Sequence, residues 1–470
     1  MTDSVAKRSP ASAAMLEAAN VGRALMGGTR AMRSAGETYL PKFESESTES
    51  YTARLKSSWL FNGYRKTTRD MTGRVFDKPV ELNADSTQLS EWVKNIDMAG
   101  RDLSTFARDV FEDGISGAGL SFIMVEAPRR DGVITRETAA QLNLRPYLVH
   151  LTVEEVLGWK SDTIDNVTRL TQFRIMESVS EQDPKDEFAQ TKVPQVRVLD
   201  LIEGRVQVRL FRKVKDTEKW ALYDDPYFMD VGEITVIPFY ANRTGFFTAE
   251  PLLDDLADVN VAHWQSQSDQ RNILHFARVP ILFAAGRPED EGQLVISAGM
   301  AVTATDPKAT LKWTTYDKGP IEVGRQDLKD LEFQMEAFGL QLLTARPGAQ
   351  SATGEALDAA KETSTLSMTA DQLQDALEQA LVWMGQYGSV DIGEGAVAVN
   401  KEFGVGMMNA QDMTAMLSAV NTGNMSRETF LREMARRGMI APDTDLEAEM
   451  DRIETEAPDL STGANDGFGE

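Results

Sequence analysis

Asp254 and Asp258 are the two residues in this chain best spaced for chemistry. Positions four apart on a helix share a face, so the two carboxylates could hold a cation or divide acid and base roles. They follow Pro251 and flank Asp255, where a helix begins, and acids there are equally explained by the positive end of the helix dipole. The adjacent pairs Glu154-Glu155, Asp224-Asp225 and Asp254-Asp255 do not share a helical face and read as solvated surface. Lys56-Ser57, Lys66-Thr67 and Lys160-Ser161 lack the glycine frame that cradles a phosphate. The glycines of GISGAG, 114–119, precede a strand, whereas a dinucleotide loop follows one, so they read as a turn where backbones approach closely. Neither G-x-S-x-G nor H-E-x-x-H spacing occurs. The chain has no cysteine and three histidines, His150, His263 and His275. The last two diverge by roughly 120° if they share one helix. The sequence therefore predicts no catalytic residue, no metal ligand set and no cofactor.

The elements that would carry these residues form a mixed α+β pattern. Over 470 residues, 42% hydrophobic content supplies a sizeable core. No stretch reaches the roughly 18 uncharged apolar residues of a membrane span, and the charged N-terminus is not a secretory signal. The net charge of −24 is uneven, with +5 on residues 1–78 and −29 on the remainder. Such a chain lacks the basic face with which a conventional DNA-binding protein neutralises phosphates. The Ala/Ser/Gly-rich residues 1–50 predict a flexible segment. The region 146–240 reads as strands, with Val206, Val208 and Leu210 alternating against Arg205, Gln207 and Arg209 after a Glu203-Gly204 turn. A helix is predicted over 251–278, then strand-like runs over 279–325. Leu328, Leu331, Met335, Phe338 and Leu342 mark a second helix by their 3-4-3-4 spacing. A Pro/Gly/Ser loop over 345–353 precedes a third helix over about 355–384. Two short helices follow within 409–437, with Ser426 capping the second, and residues 451–470 predict an acidic flexible tail.

The first of these long helices is unusual in its middle. Gln265 to Asn272, QSQSDQRN, contains no aliphatic or aromatic residue. An apolar core cannot receive such a run, so whatever Gln265, Gln267, Asp269 and Arg271 face is polar.

Four stretches carry a family resemblance: YTARLKSSWLFNGYRKTTRDMTGRVFDKP (51–79), EPLLDDLADVNVAHWQSQSDQRNILHFARVPILFAAG (250–286), ARPGAQSATGEAL (345–357) and NTGNMSRETFLREM (421–434). In this order the chain resembles the portal, or head–tail connector, proteins of tailed bacteriophages. The resemblance implies a portal-like α+β fold and a non-enzymatic ring, usually of about twelve subunits, at one capsid vertex. Residues 51–250 would form the wing, 251–278 and 326–344 the stem helices, and 279–325 a small α/β clip between them; Gln265, Gln267, Asp269 and Arg271 on the first stem helix would meet adjacent subunits or the second stem helix. A tunnel loop would span 345–353, the long wing helix and the segment after it 354–404, and a crown 405–450. Arg346, Pro347, Gly348, Gln350, Ser351 and Thr353 would then face double-stranded DNA passing without sequence specificity. Arg287, Glu289, Asp290, Glu291, Lys308 and Lys312 would dock a large terminase and later a head-completion protein. The implied partners also include the major capsid and scaffolding proteins, with assembly in the host cytoplasm and a final place in the virion. Two rivals remain at this stage: a non-pore scaffold or adaptor of phage assembly, and a hydrolase built on an acid pair such as Asp254/Asp258.

Overall fold

The structure is a computed structural model that describes residues 3–84, 86–128, 142–183, 186–214, 219–229, 231–278, 281–285, 308, 310–314, 318–340, 352–393, 395–401, 410–436, 440, 444 and 446–456. It divides into two compact units, Met1–Lys401 and Glu402–Glu470.

The first unit opens with α1 (Pro10–Ala35), which Ser9 caps by accepting from Ser12 N at 3.2 Å. The sequence expects residues 1–50 to be flexible; the structure places a capped helix over 10–35 of them. The buried face of α1 runs through Ser12, Ala19, Gly22, Leu25, Gly28 and Met32, and small residues there carry little hydropathy signal. Their smallness is itself the packing device. A Cβ on Gly22 would sit 2.3 Å from Ser116 O, so only glycine lets α1 lie this close. At Gly28, with φ 71°, the helix kinks.

Next come α2 (Thr48–Ser57), α3 (Gly63–Val75), β1 (Glu81–Leu82), α4 (Thr87–Trp92) and α5 (Leu103–Ser116). The GISGAG turn then leads into β2 (Leu120–Glu126), which lies between β3 (Tyr147–Leu151) and β10 (Val236–Tyr240) in an antiparallel three-stranded sheet. Between β3 and β10 in sequence, β4 (Val156–Ile164), β5 (Val167–Gln182), β6 (Gln190–Ile202), β7 (Arg205–Lys213) and β8 (Trp220–Leu222) pair in that order. The strand β9 (Tyr227–Met229) adds to β7. Glu203 (φ 50°) and Gly204 (φ 74°) turn β6 into β7, and Asp165 and Asn166, also left-handed, turn β4 into β5. The core lies between these two sheets, where Phe122, Phe173 and Phe247 meet at 5.6–6.0 Å between centroids. A small hairpin, β11 (Arg243–Gly245) and β12 (Thr248–Ala249), closes this region.

The long helices follow. α6 (Asp254–Ala277) is three residues shorter at its start than the sequence suggests. β13 (Ile281–Ala285) and β14 (Thr310–Thr314) pair antiparallel, and α7 (Lys318–Leu340) packs back along α6. α7 begins eight residues before 326, inside the stretch expected to be clip, because Pro320 suits a first helical turn. α8 (Ala352–Gly388) is a 37-residue helix that takes in Thr353, which the sequence assigns to a loop. Gly354 lies within the first turn, where its cost is smaller than in a helix interior, so the helix starts at Ala352, before that glycine. Its stripe Leu366, Ala370, Leu373, Leu377, Ala380 and Met384 is buried, and the helix packs against β2 and β10. β15 (Val397–Ala398) returns to pair with β1.

The second unit contains α9 (Ala410–Asn421), α10 (Arg427–Arg436) and α11 (Leu446–Glu456). Ser426 Oγ accepts from Thr429 N at 3.1 Å and so caps α10. α11 carries helix to residue 456, into the segment expected as a flexible tail, through good helix formers and an Arg452–Glu449 pair at 3.2 Å.

Candidate functional site

The polar middle of α6 is less exposed than its composition suggests. Ser268 and Gln270 are buried, as are Asn260, His263 and Trp264 one to three turns before them. Each finds a place because neighbouring elements offer polar partners rather than an apolar groove. On one side is Arg54 of α2, a buried guanidinium. Its Nε and Nη2 donate to the two Glu46 carboxylate oxygens at 2.8 Å, and Nη2 also donates to Pro41 O at 2.8 Å. Phe43 and Tyr51 place their rings 4.3 and 5.5 Å from it. The remaining nitrogen, Nη1, reaches Ser268 Oγ and Asp269 Oδ1 at 3.5 Å. Ser58 Oγ donates to Arg54 O and stands 2.8 Å from Ser268 Oγ. Hydrogen bonding from Arg54 holds the Glu46 carboxyl below its ordinary range.

One turn and more toward the start of α6, Asn260 joins the helix to the Phe61–Tyr64 turn. Its Oδ1 accepts from Tyr64 N at 2.9 Å and its Nδ2 donates to Phe61 O at 2.8 Å. Asn62 accepts from Arg65 N at 2.9 Å, capping α3, and donates to Leu25 O of α1 at 2.6 Å. The Y-x-x-R and F-N-G-Y stretches thus have a physical role: they lock α1, α2 and α3 onto α6.

The other side of α6 faces α7 through a polar ladder. His263 Nε2 stands 3.4 Å from Glu332 Oε1, Ser266 Oγ donates to Asp327 Oδ2 at 2.5 Å, and Gln270 Nε2 donates to Ile321 O at 2.9 Å. Burial pushes the His263 imidazole below its ordinary pKa, against the pull of Glu332. His263 Nδ1, Trp264 Nε1 and Gln270 Oε1 are buried without a partner among the described residues.

Of the residues the sequence predicts for this helix, Asp269 faces Arg54 and Gln265 Nε2 donates to Tyr39 O at 3.1 Å, both within the chain. Gln267 is half-buried and Arg271 is exposed. Among the clip residues, Lys308 and Lys312 are exposed, the latter opposite Phe283 on the strand pair. Arg287, Glu289, Asp290 and Glu291 lie outside the described residues, as do Arg346, Pro347, Gly348, Gln350 and Ser351. Arg54 was not singled out by sequence reading; its aromatic, carboxylate-rich surroundings come from residues 41–51 and were legible only as composition.

Two constellations bear on catalysis. Ser121, His150 and Asp113 come together in the core, and the trio invites comparison with a nucleophile relay. However, Ser121 Oγ (2.8 Å) and Asp113 Oδ2 (3.3 Å) both address the same ring atom, His150 Nε2. A relay needs the acid on one nitrogen and the nucleophile on the other, and Ser121 is fully buried. Asp113 also pairs with Arg23, which in turn holds Glu154 at 2.6 Å. Burial pushes the Asp113 carboxyl up, but His150 and Arg23 outweigh it and hold it below its ordinary value. The cluster ties α1, α5 and β3 together. As for Asp254, desolvation and then Asp258, Asp255 and Glu250 raise its carboxyl. All four acids are exposed.

Among the described residues no group of acids and histidines suits a metal ion, and no helix is long and apolar enough to cross a membrane. A search of curated proteins returns no match. Among solved structures the chain is similar to one described as the neck of a native GTA particle computed with C12 symmetry. The identity is 11% and the TM-score 0.38, over 80% of this chain and 89% of that one. The model of a domain of unknown function, DUF4055, matches residues 251–388, which run from the start of α6 to the end of α8.

Proposed function

We propose that this chain is the subunit of a phage portal: a non-enzymatic ring at one capsid vertex through which double-stranded DNA enters and leaves. The observation that carries the reading is the succession of α6, the β13/β14 strand pair, α7 packed back along α6, and the 37-residue α8. Two helices that bracket a strand pair suit a stem that ends in a docking surface. Of the four stretches that resemble portal proteins, 51–79 and 250–286 carry the Arg54 and Asn260 contacts together with α6 and β13, the described end of 345–357 opens α8, and 421–434 belongs to α9 and α10 of the second unit.

In this reading residues 345–351 border the channel and DNA slides past them without sequence specificity. The acidic balance of the chain favours sliding, since a wall that neutralised many phosphates would act as a brake. Transport is driven by a separate terminase that docks on the region around β13 and β14, where a head-completion protein later replaces it. Capsid and scaffolding proteins are the partners during assembly, and the finished ring resides in the virion. Negative-stain images of purified protein over a rising concentration series test the proposal. Rings with an axial channel are expected. Uniform monomers at every concentration would overturn it, and open or channel-free assemblies would favour an adaptor instead.

A further inference from the structure

The surface that stands out against the rest of this acidic chain lies where α1 crosses the start of α3. Leu60 N donates to Thr29 Oγ1 at 3.1 Å and Asn62 Nδ2 to Leu25 O, so the turn before α3 is fixed along α1. Arg65 lies over the kink, its Nη1 donating to Met26 O at 3.5 Å and standing 3.2 Å from where a Gly28 Cβ would be. Lys66 and Arg69 follow on α3, one residue and one turn further, and Arg30 stands two residues past Gly28 on α1. Arg30, Lys66 and Arg69 are exposed, and among the described residues none has an ion-pair partner. Trp59, 41% exposed, sits at the edge of the same turn. Asp70, also exposed, stands one residue past Arg69, so Arg30, Arg65, Lys66 and Arg69 leave an excess of positive charge at this crossing, with Trp59 at its edge.

A net charge of −24 makes copies of this chain repel one another at long range. A contact that brings opposite charges together locally offsets that repulsion, and the patch offers the positive half of such a contact. The chain also carries the negative half. Glu250, Asp254, Asp255 and Asp258 are exposed around the start of α6 and none is in an ion pair among the described residues. We propose that the Arg30/Lys66/Arg69 surface docks the Glu250–Asp258 acids of a second copy of this chain. Paired head to tail, base set to acid set, the contact closes into a ring or runs on as a filament, whereas a reciprocal two-fold pairing would stop at a dimer. This inference rests on the portal reading and specifies which faces of the subunit meet.

The test reverses each charge set in the full-length protein. One variant carries Lys66→Glu and Arg69→Glu; another carries Asp254→Lys and Asp258→Lys; a third combines all four. A Lys66→Gln, Arg69→Gln variant separates loss of attraction from gain of repulsion, and circular dichroism checks that each is folded. Sedimentation at about 0.1 M salt is expected to show the assembly concentration of either single reversal rising about tenfold or more, since several exposed pairs are lost together. The combined variant is expected to assemble like the native chain. Native rings together with reversals that leave the assembly concentration unchanged would overturn this inference alone. Native monomers throughout would overturn the portal reading and this inference with it. Salt-sensitive binding of a generic DNA duplex, lost on Lys66 and Arg69 reversal while assembly is unchanged, would assign the patch to DNA and overturn the second-copy contact.

Discussion

Arg54 shows how much of a fold can depend on one side chain. It is buried, it satisfies Glu46 completely, and it is the cation nearest Asp269 on α6. Replacing it with alanine leaves Glu46 buried beside Phe43 and Tyr51 without a counter-charge. A loss of about 3–5 kcal/mol in urea unfolding is expected, in the range found when one partner of a buried pair is removed. Arg54→Lys should recover only part of it, because an ammonium cannot bind both Glu46 oxygens and reach Ser268 as well. The sign of the pH dependence follows from Glu46. Its carboxyl is depressed in the fold, so its contribution is complete above the ordinary carboxylate range and is lost as pH falls through the folded value.

Glu177 behaves in the opposite way. On β5 it shares Arg197 of β6 with Glu126 of β2, so two carboxylates face one guanidinium, and Tyr147 donates to Glu126 at 2.8 Å. Burial raises the Glu177 carboxyl to about 7; Gln195 and Arg212 pull it down and Glu155 pushes it up. A carboxyl with a raised folded pKa stabilises most below its unfolded pKa, near 4.3, and that contribution is lost as pH rises through 7. Glu177→Gln removes the charge while it keeps the shape. The variant is expected to be more stable than the native chain at pH 8 by about 1–3 kcal/mol and to converge with it near pH 5. Denaturation curves at the two pH values measure the difference.

At the scale of elements, α6 and α7 are joined by hydrogen bonds that repeat along their length as well as by the buried Leu328 and Met335 of the apolar seam. Gly324 is the point of closest approach: a Cβ there would stand 2.2 Å from Gln270 Oε1. Gly324→Ala is therefore expected to displace the Gln270 side chain, break its bond to Ile321 O and cost about 1–3 kcal/mol. With Gln270 already cut to alanine the space exists, so the double variant should lose clearly less than the sum of the singles. A double-mutant cycle in thermal unfolding reads this coupling directly.

The same helices show what a sequence does and does not make legible. The seam Leu328, Leu331, Met335 and Phe338 identified α7, and period-2 alternation identified β7, because both depend on apolar residues at regular intervals. QSQSDQRN shows no apolar face, and its expected partners are adjacent subunits or the neighbouring long helix. In the fold Gln265 meets Tyr39, Ser266 meets Asp327, Asp269 meets Arg54 and Gln270 meets Ile321. Hydrogen-bond partners 50 to 230 residues away have no periodic signature, so burial of a polar run cannot be read locally. The charge set of Arg30, Lys66 and Arg69 was visible only as a basic N-terminal region; which of its cations were consumed, as Arg33 is by Ser58 O at 2.9 Å, required the fold.

For the whole molecule, the two ends of the chain differ in what they carry. Every residue of the main apolar cluster lies between Ala19 and Ala249, and the buried stripes of α6, α7 and α8 also fall within 1–401. In the second unit the one described side chain buried among hydrophobics is Leu431. The N-terminal segment, which composition suggests is flexible, is tied in at several points. Arg8 Nη1 donates to Val153 O at 3.0 Å and Val156 O at 2.6 Å, Arg23 pairs with Glu154 and with the buried Asp113, and Leu25 and Met32 are fully buried on α1. Deletion of residues 402–470 is therefore expected to leave unit 1 folded, with its cooperative unfolding midpoint shifted by no more than about 4 °C. Deletion of residues 1–35 strips the cations from Asp113 and Glu154 and exposes the faces that covered α1. Loss of cooperative unfolding, or insoluble protein, is expected instead. Thermal unfolding of the two truncations side by side decides the point: if removing 1–35 were as harmless as removing 402–470, the burial of α1 would not contribute to stability and the assignment of its small-residue face to the core would be wrong.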